Sequence, residues 1–253
     1  MTALGKRLIK AAKEARTIAR GEANPKSRTY VPAAESHRFD SGAGKVSALL
    51  LRPDGAFACY ILAHGAGAGM THPFMEAMAD ALAARGMATL RYQFPYMEKK
   101  SRRPDPPKIA EACVRAAVAE AARLAPDLPL IAGGKSFGGR MTSQAQATVP
   151  LPGVRGLVFL GFPLHPAGKP SDARGEHLTR VRVPMLFLQG TRDKLAELSL
   201  LRPRCMQLGA RLHEIGEADH SFHVPARSGR KDTDVLAELA ETIAGWAGQL
   251  FAK

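Results

Sequence analysis

Cysteine is scarce in this 253-residue chain. Cys59, Cys113 and Cys205 are odd in number, scattered and without metal-like spacing, which argues against a disulfide framework and fits buried thiols in a reducing cytoplasm. Long apolar runs are missing too. No stretch approaches the roughly 18 uncharged apolar residues of a membrane span. The N-terminus is basic, but no apolar segment follows it, so no secretory signal is expected. Aromatic residues make up only 6% of the chain, and no nucleic-acid-module motif is present. Acidic residues are in deficit, 23 against 36 Lys and Arg, for a net charge of +13. Residues 1–30 hold eight Lys or Arg against two Glu, so +6 of that excess is N-terminal and the other 223 residues carry +7. This distribution reads as a solvated basic surface plus a basic terminal helix, and nucleic-acid binding is not expected.

What is there is globular: 45% hydrophobic and 23% charged residues, at a length ordinary for one layered α/β domain. Leu4, Leu8, Ala11, Ala15 and Ile18 recur at helical spacing among lysines and arginines, and residues 1–35 are taken as a basic N-terminal arm. Residues 36–253 form the main domain. Runs 45–52 and 56–63 are β-like, and Pro53-Asp54-Gly55 between them predicts a hairpin turn. A helix opens at Pro73 and closes at Gly86, with Phe74, Met78 and Leu82 as its apolar stripe, and 87–92 is the next strand. A basic loop (98–108), an alanine-rich helix (109–124), a strand (129–133) and a helix (137–148) follow. Residues 156–162 and 184–189 are apolar without alternation, as expected of parallel strands covered on both faces. The spacing then predicts a helix over 195–208, a strand over 211–215 and a closing helix over 232–251.

Gly134-Lys135-Ser136-Phe137-Gly138 is a G-x-S-x-G between a strand and a helix, the setting of a nucleophile elbow. A serine hydroxyl needs a base within hydrogen-bond reach and a third group to orient that base. Asp193 falls just past the tip of the 184–189 strand, and His220 follows the 211–215 strand. Asp219 adjoins His220 and is poorly placed to reach its far ring nitrogen, so Asp193 is the better orienter. An oxyanion hole needs two backbone donors, one from Phe137 and one from Ala66 or Gly67 in the loop after the 56–63 strand.

With these elements in order, the chain resembles the α/β-hydrolase superfamily, close to its dienelactone-hydrolase-like branch. It is nearer still to bacterial proteins related to subunit 3 of the animal non-specific-lethal chromatin complex. The resemblance rests on residues 64–69, 91–96, 133–140, 161–166, 190–193 and 219–222 and spans roughly 38–250. It implies a single-domain α/β-hydrolase fold with a mostly parallel sheet, helices on both faces and little lid, and a Ser136–Asp193–His220 triad. Dienelactone hydrolases use a cysteine nucleophile where this chain has Ser136. Lys135 stands where many esterases carry His, Tyr or Glu, and a cation there either favours an anionic substrate or turns to solvent or a carboxylate.

Tyr92, Phe94, Tyr96, Phe162 and Phe222 are candidate lining for an acyl pocket, with the core as the other home for each. A phosphate-binding loop is rejected because Pro129 stands where its first glycine is required. A dinucleotide fingerprint is rejected because Met70 stands at its third glycine. The expectation is a cytoplasmic serine hydrolase of carboxylic esters or thioesters without a cofactor or metal. The alternative is an idle hydrolase fold that binds other proteins.

Overall fold

The computed structural model describes residues 31–252. The expected helix among residues 1–30 lies outside the described residues. Eight strands form one sheet in the order β1-β2-β4-β3-β5-β6-β7-β8. They are β1 (Glu35–Asp40), β2 (Lys45–Leu51), β3 (Ala58–Ala63), β4 (Met87–Tyr92), β5 (Leu130–Lys135), β6 (Val154–Leu160), β7 (Met185–Gly190) and β8 (Arg211–Ile215). β1 and β2 run antiparallel at one edge, and the remaining strands are mutually parallel.

The non-alternating strands have the reason their composition predicts: each feeds two hydrophobic layers. On one face Cys59, Ile61, Ala132, Phe159 and Phe187 pack with Val114 of α3 (Pro107–Leu124), Met141 of α4 (Phe137–Thr148) and Leu201 of α5 (Leu198–Gln207). On the other, Tyr60, Leu62, Val158 and Leu186 pack with Met78 of α1 (Pro73–Ala83) and Ile243 and Trp246 of α6 (Asp232–Phe251). A single helical turn, α2 (Pro95–Glu98), lies between α1 and α3. Residues 163–183, between β6 and β7, fold as the short 3-10 helix Ala173–Arg180 against α4, without a separate lid layer.

One expectation needs correction. Pro53-Asp54-Gly55 makes a turn, with the Ala56 amide donating to the Pro53 carbonyl at 3.2 Å, but not a hairpin. β4 lies between β2 and β3, because β3 is buried along its whole length and takes parallel neighbours on both sides. The hairpin forms instead between β1 and β2, over a turn in which the Ser41 amide and hydroxyl both donate to the Gly44 carbonyl. β1 has polar, mostly exposed residues, which give an edge strand little hydrophobic signal.

The face beneath α6 is tightly packed. A Cβ on Gly156 in β6 would lie 2.6 Å from Trp246 Cη2 and 2.9 Å from Leu250 Cδ2, whereas Gly245 within α6 faces open space. Gly156→Ala is therefore expected to destabilise the protein by about 1–3 kcal/mol through overpacking. Gly245→Ala is expected to stabilise it by about 0.5–1 kcal/mol through helix propensity. Urea unfolding of both variants tests the pair, and equal effects would contradict this packing.

Candidate active site

The C-terminal ends of β3, β5, β7 and β8 lead into four short segments that meet at one point. β5 delivers Ser136 at φ 47° and ψ −112°, a positive-φ conformation that costs a residue with a β-carbon on the order of 1–3 kcal/mol. Bare backbone around it makes the bend fit. A Cβ on Gly138 would sit 2.6 Å from both the Ala63 side chain and the His64 carbonyl oxygen, and one on Gly134 would drive into the Ala63 carbonyl. The Ser136 amide donates to the Leu160 carbonyl at 3.1 Å, which anchors the bend to β6.

His220 Nε2 lies 2.9 Å from Ser136 Oγ, and its Nδ1 lies 2.7 Å from Asp193 Oδ2. The Asp193 carboxylate is buried and held three ways: the Gln189 side-chain amide also donates to Oδ2, and the Leu195 amide donates to Oδ1 at 2.8 Å. Gln189, whose Oε1 accepts from the Phe162 amide, escapes sequence reasoning; a polar residue at the end of an apolar strand is its only signal. Asp219 is occupied elsewhere, accepting the Ser221 and His223 amides and shaping the loop.

The oxyanion-loop candidates separate cleanly. The Gly67 amide donates to the Tyr96 hydroxyl at 3.0 Å, so the alternative that uses Gly67 as a donor is withdrawn. The amides of Ala66 and Phe137 carry no hydrogen bond among the described residues. His64 braces this loop. Its Nδ1–H donates to the Gly65 carbonyl at 2.8 Å and its Nε2 accepts the Phe94 amide at 3.1 Å. Both nitrogens are used by the neutral ring, and burial pushes its pKa down from 6.5 to about 4.

A cavity of about 350 Å³ opens over Ser136, lined by Ala66, His72, Phe74, Met75, Lys135, Leu195 and His220 among others. Of the expected pocket residues, only Lys135 lines it. Tyr92, Phe94 and Phe162 are wholly buried and belong to the core, where Phe94 packs edge-on against Phe137 and Phe162 against Phe187. Tyr96 is buried beneath the loop it braces, and Phe222 is buried with its ring stacked on Phe74, 5.9 Å between centroids. The lining comes instead from the first turn of α1 and the residues after Asp193. Phe74, expected in the core stripe of its helix, faces the opening from that first turn. His72 caps the helix, its Nδ1 accepting the Phe74 amide at 3.2 Å.

A second serine–histidine contact, Ser143 Oγ to His177 Nε2 at 2.7 Å, has another character. Ser143 donates its own proton to the Arg140 carbonyl, both side chains are buried, and neither lines the cavity. His165 is satisfied by the Pro166 carbonyl and the Glu197 amide, and His223 by Asp232. Among the described residues no group of three or more His, Cys, Asp or Glu side chains is placed to hold a metal, and no helix is long and apolar enough to cross a membrane.

Comparison with known proteins bears on the fold that carries this site. The family model of the alpha/beta hydrolase domain matches residues 56–248. Among solved structures, a dienelactone hydrolase from Anabaena variabilis superimposes with a TM-score of 0.69 at 22% identity, covering 86% of this chain and 97% of its own. An α/β serine hydrolase without lid from Xanthomonas campestris gives 0.66 at 18% identity, covering 87% and 97%. Est1E from Butyrivibrio proteoclasticus, with ferulic acid bound, gives 0.70 at 16% identity, covering 86% and 100%. At these identities the likeness is one of fold.

The His64 ring carries a pH consequence. It titrates at about 4 when folded and at its ordinary 6.5 when the chain is unfolded, so the unfolded chain takes up the proton first. Stability present above pH 6.5 is therefore lost as the pH falls towards 4, by about 3 kcal/mol. His177, also lowered to about 4, chiefly by burial and then by the charges of Arg140 and Arg180, acts in the same direction. Urea midpoints between pH 7 and pH 4.5 should fall accordingly, and midpoints that stay constant would contradict a neutral, doubly bonded His64.

Proposed function

The chain belongs to the alpha/beta hydrolase domain family, and from that premise we propose that it is a serine hydrolase cleaving carboxylic esters or thioesters through an acyl-enzyme. The observation that carries this reading is the unbroken hydrogen-bond chain from Ser136 Oγ through His220 to Asp193 at the mouth of a cavity. Within the family we place the chain beside the dienelactone-hydrolase-like members and the bacterial proteins related to subunit 3 of the non-specific-lethal complex. That placement rests on the motif residues at 64–69, 133–140 and 219–222.

In this mechanism Ser136 Oγ attacks the substrate carbonyl carbon as its proton passes to His220 Nε2. Asp193, accepting from Nδ1–H, holds the ring in the required tautomer and stabilises the imidazolium. The carbonyl oxygen becomes an oxyanion facing the Ala66 and Phe137 amides, whose lack of a hydrogen bond among the described residues supports that role; one such donor is worth about 3 kcal/mol of barrier. Collapse expels the alcohol or thiol, which takes the proton back from His220. A water molecule then gives a proton to His220 and attacks the acyl carbon, and the acid leaves with Ser136 restored. No step calls for a cofactor.

The apolar lining by Phe74, Met75 and Leu195, and a volume of about 350 Å³, support small to medium acyl groups. Three free, buried cysteines support a reducing compartment such as the cytoplasm.

A fluorophosphonate probe is expected to label the wild-type protein on Ser136, and Ser136→Ala to abolish labelling. The same variant should lower hydrolysis of short-chain p-nitrophenyl esters by about 10³-fold or more. Folded wild-type protein that ignores the probe, or a Ser136→Ala variant with unchanged turnover, would defeat the proposal.

A further inference from the structure

Lys135 immediately precedes Ser136, at the end of β5. A lysine at a site mouth ordinarily carries its ammonium into water. This one turns inward. Its Cγ passes 3.5 Å from where a Cβ on Gly65 would stand. Its Nζ donates to the His220 carbonyl and lies 5.0 Å from the centroid of the Phe222 ring, a cation–π distance. Gly161, just past the end of β6, makes the room: a Cβ there would come within 3.0 Å of Nζ and 3.5 Å of the imidazole.

The charged groups facing Nζ are Asp193, after β7, and Asp219, after β8, with the His220 ring beside it. No carboxylate among the described residues comes within ion-pair distance, so the ammonium is spent on a backbone carbonyl and an aromatic face. The loop it holds is strained at both ends, with Glu217 at φ 58° and Phe222 at φ 66°. Ser136 and Lys135 are consecutive in the chain and grip the same histidine at different points, one at Nε2 and the other at the main-chain oxygen.

Building on the serine-hydrolase reading, we propose that Lys135 is a positioning residue whose ammonium ties the His220 backbone to the strand end that carries Ser136, holding the imidazole within reach of Oγ. A substrate anion has little claim on this charge, because the charge is already committed inside the protein. The tie is also sensitive to pH. Burial pulls the Lys135 pKa down from 10.5 to about 8, against the opposing pull of Asp193 and then Asp219. Above that pH the charge is lost and the tie weakens, so reactivity at Ser136 falls on the alkaline side.

The test is the second-order rate of fluorophosphonate labelling of the full chain from pH 6 to 10, for wild type, Lys135→Arg and Lys135→Met. Wild type should slow above pH about 8. Lys135→Arg, whose guanidinium stays charged throughout, should hold its plateau to pH 10. Lys135→Met should label roughly tenfold or more slowly at pH 7 and show no further alkaline fall. Circular dichroism and thermal melting establish that each variant is folded, and if Lys135→Met is not, the wild-type and Lys135→Arg profiles decide alone. A Lys135→Met profile matching wild type, or the same alkaline fall in wild type and Lys135→Arg, overturns the tie. Wild-type protein that labels at no pH overturns the serine-hydrolase reading and the tie with it, whereas a labelled wild type with indifferent variants overturns the tie alone.

Discussion

Ser136 occupies a backbone conformation that a residue with a β-carbon resists, and the surrounding chain is built so that it has no alternative. Gly134 and Gly138 allow β5 and α4 to press against the main chain of residues 63 and 64, closer than any side chain would permit. The same approach brings the Ala66 amide, in the loop after β3, beside the Phe137 amide, in the first turn of α4, neither of them hydrogen-bonded among the described residues. The hydroxyl and the two amides thus share one cause. A β-carbon at position 138 would displace all three together.

Around that bend, several buried polar groups are committed to particular partners, and the commitments decide which remain free for chemistry. Tyr96 takes the Gly67 amide and His64 takes the Phe94 amide, which fixes the loop after β3 from below. Gln189 and the Leu195 amide hold the Asp193 carboxylate still, so that its remaining capacity points at His220. Asp219 is consumed in folding its own loop. Preorganisation of this kind strengthens an electrostatic site, because nothing must reorient as charge develops.

Much of this is legible in the sequence, since parallel strands covered on both faces leave long apolar signatures and the residues at their C-terminal tips are short-range features. β4, α4, β8 and α6 have the bounds that periodicity predicts. β1 is not legible, because an exposed edge strand has no buried face to impose a pattern. The pairing of β2 with β4 rather than β3 is a long-range choice that a local turn signal cannot carry. The pocket walls escape for a related reason. Aromatic residues near a strand end look alike whether they point into a cavity or a core, and here Tyr92, Phe94 and Phe162 turn to the core while Phe74 faces the opening. The direction of Lys135 depends on a space left by Gly161, a residue on the neighbouring strand's end, which no local pattern records.

Whether Ser136 carries the acyl group separates a working hydrolase from an idle fold. Rapid acid quench of the wild-type protein with an activated short-chain ester, followed by peptide mass spectrometry, reads this directly. The predicted result is a mass increase equal to one acyl group on the peptide containing Ser136, and on no other serine. Acylation of Ser143 instead, or product formation with no adduct under conditions where deacylation is slow, would contradict it.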